Sequence, residues 1–394
     1  MKSEDATVLV LNSGSSSIKF KIFHGRDVFL AGRIEGIGTS PRMVAKAGSG
    51  NGEVERKLAD DADHGAALEA AFTFLFAQFP NMRVDGVGHR VVHGGTAYAE
   101  PVLIDDGVLG DLERLCPLAP LHQPHNLAGI RAVRQTFPKV AQVACFDTAF
   151  HRKHPWVNDT FALPRSFFEE GVRRYGFHGL SYEFIVGKLA EIAPDIPDKR
   201  VIVAHLGNGA SLCAIKERRS VGSTMGFSAL DGLPMGTRCG QLDPGVVLYL
   251  MQARKMTAEE ISDLLYQQSG LKGLSGISSD MRELEASSDP RAREAIDYFV
   301  FRIRREIGAM AAVLGGIDGL VFTGGIGENS AHIRALVCRD MDWLGIGMDD
   351  AANDENRMRI SREGSAVKVL AVPTDEERMI ARHTMKLLGL AGCE

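Results

Sequence analysis

The feature that most constrains the fold of this chain is a short design that occurs twice. In each copy, two β-rich runs flank a turn of small polar residues, which predicts a hairpin of two strands. The copies lie nearly half the chain apart, with runs at 8–11 and 18–23 around 12–17, and runs at 201–204 and 212–215 around 205–211. Matched hairpins in the two halves indicate a duplicated domain, with the copies facing each other across a cleft.

The size and composition of the chain agree with two globular domains. At 394 residues, the chain is longer than a single hydrophobic core usually grows. Hydrophobic residues make up 45% and charged residues 24%, which is ordinary for a folded globular protein.

Charge and cysteine usage argue against several classes of partner. The formal net charge is -5 and no long Lys/Arg block occurs, so we expect neither nucleic acid nor an anionic membrane as a partner. Glu4 and Asp5 stand where a signal peptide carries basic residues, and no apolar stretch approaches the roughly 20 residues that span a bilayer. The six cysteines form no C-x-x-C pair, which disfavours disulfides and a zinc ribbon. These patterns predict a cytoplasmic protein.

Helix-like and strand-like patterns alternate along the chain. The longest helical pattern runs from 292 to 314, with apolar residues recurring at spacings of three and four. The pattern predicts further helices at 66–79, 125–137 and 374–387, and strands at 84–92, 140–146, 320–322 and 367–372. The alternation predicts an α/β architecture.

Three turns of small residues, at 12–17, 207–211 and 323–329, each follow a predicted strand. Glycine lets the backbone approach phosphate oxygens, and N–H groups in a turn form an anion nest. A single such segment is more simply a tight turn between elements, but three together favour nucleotide binding. None matches the P-loop or the dinucleotide fingerprint.

Eight segments, in this order, resemble the signatures of a known family. They are LVLNSGSSSIKF at 9–20, GHRVVHGG at 88–95, CFDTAFH at 145–151, RYGFHG at 174–179, HLGNG at 205–209, GTR at 236–238, TGGIGEN at 323–329 and TDEE at 374–377. The set resembles the acetate kinases, which belong to the actin, sugar kinase and Hsp70 superfamily.

The resemblance implies an α/β fold of duplicated ribonuclease H-like, actin-like ATPase domains on either side of a nucleotide cleft. We expect an N-terminal domain of residues 1–150 plus 376–394, and a C-terminal domain of residues 151–375 that carries the adenosine-binding loops. The implied activity is reversible phosphoryl transfer between ATP and acetate, giving acetyl phosphate and ADP. The resemblance also implies a homodimer.

The chemistry of such a reaction calls for arginines. A carboxylic acid is already ionised at pH 7 and needs no general base, but its charge repels the γ-phosphoryl group. Arg90 and Arg238 match the family's two active-site arginines, and a guanidinium fork suits carboxylate and phosphoryl oxygens. The alternative is a structural ion pair, which is less expected for Arg90 because it lies at the end of an apolar strand.

His178 and Asp147 complete the catalytic set that the resemblance implies. His178 would stabilise the transferring phosphoryl group, although a lone histidine is more often structural. Asp147 follows a predicted strand, where open α/β sheets place ligands. Because the substrate needs no deprotonation, we expect Asp147 to orient a metal-bound water or an arginine. An aspartate that caps a loop is the alternative.

The resemblance also implies a metal and a nucleotide site. Asn12 and Glu376 match the family's metal positions, and the expected ion is Mg²⁺, with Mn²⁺ as an alternative. ATP or ADP is expected to contact Lys19, His205, Leu206, Gly207, Asn208, Gly209, Asp280, Met281, Arg282, Gly325, Ile326, Gly327, Glu328 and Asn329. Lys19 has a simpler interpretation as a solvent-facing strand lysine. Residues 374–377 also satisfy a helix capping box with Glu377 at its third position.

The acyl pocket implied by the resemblance contains Arg90, Val92, Leu121 and Phe177. Ala229 stands where many relatives carry proline, and a smaller side chain leaves room for a longer acyl group. We therefore expect acetate as the best substrate, with propionate accepted. Two rival hypotheses are a sugar or polyol kinase, with Asp147 as a true base, and a nucleotide-binding protein without catalysis.

Overall fold

The computed structural model describes residues 5–14, 17–47, 53–60, 62–79, 82–120 and 122–392. The chain divides into two compact units, one of Met1–Phe150 with Asp375–Glu394 and the other of His151–Thr374.

The first unit is built on an eight-stranded sheet. Its strands are β1 (Thr7–Ser13), β2 (Ser17–His24), β3 (Asp27–Glu35), β4 (Arg42–Ala47), β5 (Glu53–Lys57), β6 (Gly86–Val91), β7 (Val102–Leu103) and β8 (Gln142–Phe146), in the order β5-β4-β3-β2-β1-β6-β8-β7. β1 pairs antiparallel with β2 and parallel with β6, which pairs parallel with β8. The first predicted hairpin is confirmed, but Asn12 and Ser13 belong to β1 and not to the turn. Ser15 and Ser16 of that turn lie outside the described residues.

The helices of the first unit are α1 (His64–Gln78), α2 (Asp106–Arg114), α3 (Gln123–Thr136) and, from the end of the chain, α15 (Glu376–Leu388). Apolar residues of α1, among them Leu68 and Phe72, join a core with β1 and β2. α15 packs on β6 at Gly88, where a Cβ would lie 2.3 Å from the Thr384 hydroxyl. Glycine at this position therefore lets α15 lie close against the sheet.

The second unit repeats the strand pattern of the first. Its sheet has the order β11-β10-β9-β12-β13, made of β9 (Arg200–Leu206), β10 (Ala210–Lys216), β11 (Arg219–Ser223), β12 (Gly319–Thr323) and β13 (Lys368–Ala371). β9 pairs antiparallel with β10 and parallel with β12, which pairs parallel with β13. This is the arrangement of β3-β2-β1-β6-β8, so the predicted duplication is confirmed in the sheet topology.

The helices of the second unit are α4 (Trp156–Asp159), α5 (Arg165–Glu169), α6 (Gly179–Ile192), α7 (Pro244–Gln252), α8 (Ala258–Gln267), α9 (Gly270–Ser275), α10 (Met281–Ala286), α11 (Pro290–Leu314), α12 (Gly324–Asn329), α13 (Ala331–Cys338) and α14 (Asp350–Asp354). The long predicted helix is confirmed as α11, which ends at Gly315 in a left-handed conformation with φ 71°. Among the described residues, we find no helix with the length and apolarity needed to cross a bilayer.

Two local predictions are wrong. The glycine-rich segment at 323–329 is not a loop, because Gly324–Asn329 forms the short helix α12 directly after β12. The capping box at 374–377 is also wrong. The N-cap of α15 is Asp375, not Thr374, and its carboxylate accepts a hydrogen bond from the Arg378 N–H at 3.2 Å.

Candidate active site

A two-point ion pair joins Arg90 and Asp147 in the first unit. β6 and β8 are parallel neighbours, so their carboxyl ends bring the two residues to one edge of the sheet. Nε of Arg90 donates to Oδ1 of Asp147 at 2.9 Å, and Nη2 donates to Oδ2 at 2.6 Å. Burial alone would lower the pKa of Arg90, but the carboxylates of Asp147 and Glu376 raise it, so the guanidinium stays charged. Of the two contacts expected for Asp147, the structure shows the one with an arginine.

Asn12 and Glu376 bring two further oxygens to the same guanidinium. Nη1 of Arg90 donates to Oδ1 of Asn12 at 3.2 Å and lies 3.6 Å from Oε2 of Glu376. Burial is the main cause that raises the pKa of Glu376 to about 7, and Asp147 and Glu377 raise it further against the opposing effect of Arg90. The negative charge of Glu376 is therefore poorly compensated, and an added cation would stabilise it.

These two residues fit a magnesium ion. Mg²⁺ prefers hard oxygen ligands and takes only one or two of them from the protein when it also binds phosphates. The amide oxygen of Asn12 and the carboxylate oxygen of Glu376 both lie near Nη1 of Arg90. Since the charge of Glu376 is only partly neutralised, the two oxygens make a suitable ligand pair for the ion.

Lys21 is a residue of this cluster that the sequence analysis missed. Its Nζ lies 2.8 Å from Oδ1 of Asp375 and 3.2 Å from Oε2 of Glu377. Lys19, the predicted nucleotide contact, lies two residues earlier on β2 and is exposed. Alternate residues of a strand share a face, so the two-residue spacing from Lys19 was the signal that could have found Lys21.

The predicted acyl-pocket residues of the first unit differ in what the structure describes. Val92 follows β6 and is buried, and its N–H donates to Oδ1 of Asn126 at 3.0 Å. Oδ1 of Asn126 thereby fixes the chain directly beyond Arg90, which the sequence analysis did not anticipate. Leu121 lies outside the described residues.

His178 is held against the hairpin of β9 and β10 in the second unit. It precedes α6 with a left-handed backbone, φ 58°. Its Nδ1 lies 2.8 Å from the Ser211 hydroxyl, and its ring stacks on that of His205 with 4.2 Å between centroids. These contacts fix the plane of the imidazole, as a group that meets a ligand requires.

Gly209 lets the turn at 207–209 lie close to His178 and Arg238. A Cβ on Gly209 would lie 3.2 Å from Nε2 of His178 and 3.9 Å from Nη1 of Arg238. Nη1 of Arg238 donates to the carbonyl of Ala229 at 2.9 Å. The carbonyl of Asn208 accepts from the Gly236 N–H at 3.1 Å, which joins the turn to the segment that carries Arg238.

α12 begins beside this turn, and the side chain of its own Glu328 caps its N-terminus. Gly324 has φ 77°, and a Cβ there would lie 2.7 Å from the carbonyl oxygen of Leu206. Oε1 of Glu328 accepts hydrogen bonds from the N–H groups of Gly324 at 2.9 Å and Thr374 at 3.0 Å. The carboxylate of Glu328 thus binds the protein's own backbone, and its contact with a nucleotide stays a prediction.

The predicted adenosine residues at 280–282 are arranged around the start of α10. Asp280 is the N-cap of α10, and its carboxylate pairs with Arg282 at 2.5 Å. The Met281 side chain is buried. Any contact of this segment with a nucleotide would therefore involve Asp280, Arg282 or the backbone, and not the side chain of Met281.

Two copies of one five-strand pattern, with charged side chains and glycine turns at the carboxyl ends of their central strands, make up the two-domain actin-like ATPase fold. The comparisons with known proteins are more specific. Residues 7–382 match the acetokinase family. The chain is 57% identical to the acetate kinase of Methylocella silvestris, an alignment that covers 97% of this chain and 98% of that protein.

Solved structures give the same result. The crystal structure of the Porphyromonas gingivalis acetate kinase is 41% identical in sequence, with a TM-score of 0.88. The superposition covers 97% of this chain and 100% of that one. A propionate kinase from Francisella tularensis subsp. tularensis is 36% identical with a TM-score of 0.91, and covers 97% of this chain and 99% of its own. The chain belongs to the acetokinase family.

Proposed function

We propose that this protein is an acetate kinase, which transfers the γ-phosphoryl group of ATP to acetate and runs the reverse reaction from acetyl phosphate and ADP. The observation that carries the proposal is the guanidinium of Arg90, which Asp147 holds by two hydrogen bonds at the carboxyl ends of β6 and β8. Its relatives named as acetate kinases support the same substrate.

The ion pair supports a role for Asp147 other than that of a base. Both of its oxygens accept charge-assisted hydrogen bonds from Arg90, so the carboxylate is engaged in holding the guanidinium. Acetate needs no base, because it is ionised at neutral pH. One acetate oxygen forms a bond to the γ-phosphorus while the bond to the β–γ bridging oxygen breaks, and ADP leaves with that electron pair. No proton moves in this step.

Arg90 keeps one edge for the substrate. Nε and Nη2 face Asp147 and Nη1 donates to Asn12, so the second N–H groups of Nη1 and Nη2 are the donors proposed for a second anion. We propose that this edge binds the carboxylate and offsets its repulsion from the phosphoryl group. We also propose Val92, Leu121 and Phe177 as residues that bind the substrate, because the resemblance implies them.

The second unit supplies donors for the charge on the transferring phosphoryl group. We assign this role to His178 and Arg238, which both lie beside Gly209. The turn at 207–209 and the N-terminal part of α12 would bind the phosphates and the nucleoside of ATP. Asp280 and Arg282 would also contact the nucleoside. Fixed donors of this kind need no reorganisation during the reaction.

Asn12 and Glu376 would hold Mg²⁺, or Mn²⁺ in its place, and Lys19 would bind phosphate oxygens. When bound, the ion neutralises charge on the β- and γ-phosphate oxygens. Glu376 binds a cation only in its ionised form, so its raised pKa makes this function dependent on pH near neutrality.

Acetate and propionate differ by one methylene, so the preference between them is modest. A single methylene in an apolar pocket changes the activation free energy by about 1–3 kcal/mol. Ala229 supports acceptance of propionate because it is smaller than proline. The similarity to a propionate kinase supports it as well.

A homodimer is the expected assembly, and α7 is the surface that supports it. Seven of the nine residues of α7 are exposed and the other two are half-buried, although the helix has the sequence PGVVLYLMQ. Leu248 and Tyr249 are each 54% exposed. Apolar side chains gathered on one exposed helix are typical of an interface between subunits. The cytoplasm is the expected compartment.

The test is a hydroxylamine-trapping assay with ATP and Mg²⁺. An acyl phosphate reacts with hydroxylamine to give a coloured hydroxamate complex, whereas a sugar phosphate does not. We expect product with acetate and propionate, and a lower kcat/KM with butyrate. ADP formation with a sugar or polyol but without hydroxamate would favour the sugar kinase hypothesis. Binding of ATP without turnover on any carboxylate would favour the non-catalytic one.

A further inference from the structure

A buried chain of polar side chains ends on the backbone of the predicted acyl pocket. Nε2 of His154 lies 2.6 Å from the Ser220 hydroxyl, which lies 2.8 Å from Nδ1 of His151. Nε2 of His151 lies 2.9 Å from the carbonyl oxygen of Phe177. His151 and Ser220 are almost completely buried. All of these residues belong to the second unit, and the proposed reaction steps use none of the three side chains.

The direction of the hydrogen bonds follows from the last of them. A carbonyl oxygen only accepts, so Nε2 of His151 carries the hydrogen. Burial lowers the pKa of His151 to about 4, so the ring is neutral and Nδ1 is an acceptor. The Ser220 hydroxyl must then donate to Nδ1 and accept from Nε2–H of His154. The Phe177 carbonyl therefore sets the tautomer of His151, and the Ser220 hydroxyl holds the ring at Nδ1.

The carbonyl of Phe177 belongs to a turn with an unusual backbone. Gly176 has φ 73°, and a Cβ there would lie 2.6 Å from Cγ of His151, so the imidazole packs directly against the turn. On its other side, the carbonyl of Gly226 accepts from the N–H groups of Tyr175 at 2.9 Å and Gly176 at 3.3 Å. His178 follows in a left-handed conformation. His151 and Gly226 thus hold the turn that carries Phe177 and His178.

We propose that His151 and Ser220 are positioning residues of the reaction, which fix the Phe177–His178 turn so that the acyl pocket and the phosphoryl-stabilising imidazole keep their places. The inference rests on the proposed function, because it assigns the two residues to the carboxylate substrate. A displaced turn affects acetate and the transferring phosphoryl group, whereas the nucleoside contacts lie on other segments.

Two substitutions of His151 separate the contacts that its ring makes. The amide nitrogen of His151→Gln takes the place of Nε2 and still donates to the Phe177 carbonyl. The shorter His151→Asn reaches only the position of Nδ1 and loses that bond. We expect His151→Gln to retain kcat/KM for acetate within about threefold, and His151→Asn to lose roughly 10- to 100-fold, with the KM for ATP unchanged in both.

Ser220→Ala is the second probe, because it removes the hydroxyl that donates to Nδ1 of His151 and keeps the His151 side chain that donates to the Phe177 carbonyl. We expect it to raise the KM for acetate and lower kcat, together by roughly fivefold to tenfold, at an unchanged KM for ATP. Thermal unfolding of each variant accompanies the kinetics.

The outcomes separate the two proposals. Equal kcat/KM for acetate in His151→Gln and His151→Asn, or an unaffected Ser220→Ala, would overturn the positioning role. Loss of activity that affects acetate and ATP alike, in step with a lower Tm, would also overturn it and show a purely structural role. A wild-type protein that forms no acyl phosphate would instead overturn the proposed function, and with it the assignment of this chain to a carboxylate.

Discussion

At the scale of single residues, the proposed mechanism depends on the ion pair between Asp147 and Arg90. An arginine whose fork is already bound on one edge is held in a fixed plane, so its other edge is presented to a ligand without a further loss of rotamer entropy. The same two hydrogen bonds engage both oxygens of Asp147, so this residue positions Arg90, whereas an enzyme for hydroxyl substrates would need it as a base.

Asp147→Asn tests this division of roles. The substitution keeps the size of the side chain but replaces one accepting oxygen by a donor, so Arg90 loses its two-point contact. We expect kcat for acetate to fall by roughly 100- to 1,000-fold, the range observed when a transition-state donor is misplaced.

The control is the double variant Asp147→Asn with Arg90→Ala. If the two residues act as one unit, the double variant is about as impaired as Arg90→Ala alone. Fully additive losses would contradict the account and indicate a separate role for Asp147, such as that of a base.

Glu376 gives the reaction a dependence on pH. Its pKa is raised to about 7, so the side chain is protonated below this pH and loses its ability to bind a cation. We expect the apparent Mg²⁺ affinity to fall by up to about tenfold for each pH unit below 7. The measurement is a Mg²⁺ titration in the presence of ADP between pH 5.5 and 8.5. Glu376→Gln is expected to bind the ion weakly and with little dependence on pH.

The same group predicts the pH dependence of stability in the absence of ligands. Its folded-state pKa of about 7 is above the ordinary value of 4.5, so its favourable contribution is fully present below pH 4.5. That contribution is lost as pH rises through about 7. We expect the Tm of the wild type, relative to that of Glu376→Gln, to decline from pH 5 to pH 8. A relative Tm that rises over this range would show that the pKa of Glu376 is not raised.

At the scale of elements, the carboxyl ends of the strands organise each unit. β6 and β8 carry Arg90 and Asp147, and β9 and β12 lead into the turn at 207–209 and into α12. The strand patterns predicted these positions from sequence because the central strands are rich in valine and other apolar residues and are followed by polar or glycine-rich segments. α12 was not predicted, because its three glycines lower helix propensity and its capping contact comes from Glu328 within the helix.

The contacts of Glu328 predict how much this residue stabilises the start of α12. Glu328→Ala leaves the N–H groups of Gly324 and Thr374 without their acceptor, at a cost of about 1–3 kcal/mol in the free energy of unfolding. Glu328→Gln keeps an accepting oxygen and is the matched control, with a smaller loss. Both tryptophans, Trp156 and Trp343, belong to the second unit, so denaturant unfolding followed by tryptophan fluorescence reports on it. Equal stability of the two variants would contradict this role.

At the scale of the whole molecule, the duplicated hairpin predicted the architecture better than it predicted the details. The repeat required two sheets with the same strand order, and the resemblance supplied Asn12, Arg90 and Glu376, which the structure brings together. Contacts made through partners distant in sequence were not predictable. Lys21 with Glu377, and His151 with Ser220, are joined only when the chain folds back over many residues.

The exposed apolar face of α7 predicts the assembly. Leu248→Glu would place an unpaired charge in an interface, which costs several kcal/mol, so we expect this variant to be a monomer where the wild type is a dimer. Val157→Glu, at a residue 72% exposed on α4, is the control and should remain dimeric. Light scattering coupled to size-exclusion chromatography measures both. An unchanged mass for Leu248→Glu would exclude α7 from the interface.

The central claim is that a carboxylate oxygen attacks the γ-phosphoryl group of ATP. It is tested most directly with [¹⁸O₂]acetate, ATP and Mg²⁺, followed by ³¹P NMR of the product. We predict acetyl phosphate whose phosphorus resonance carries the isotope shift of one directly bonded ¹⁸O. Phosphorus that remains in ATP, or that appears only as inorganic phosphate without the shift, would contradict the account.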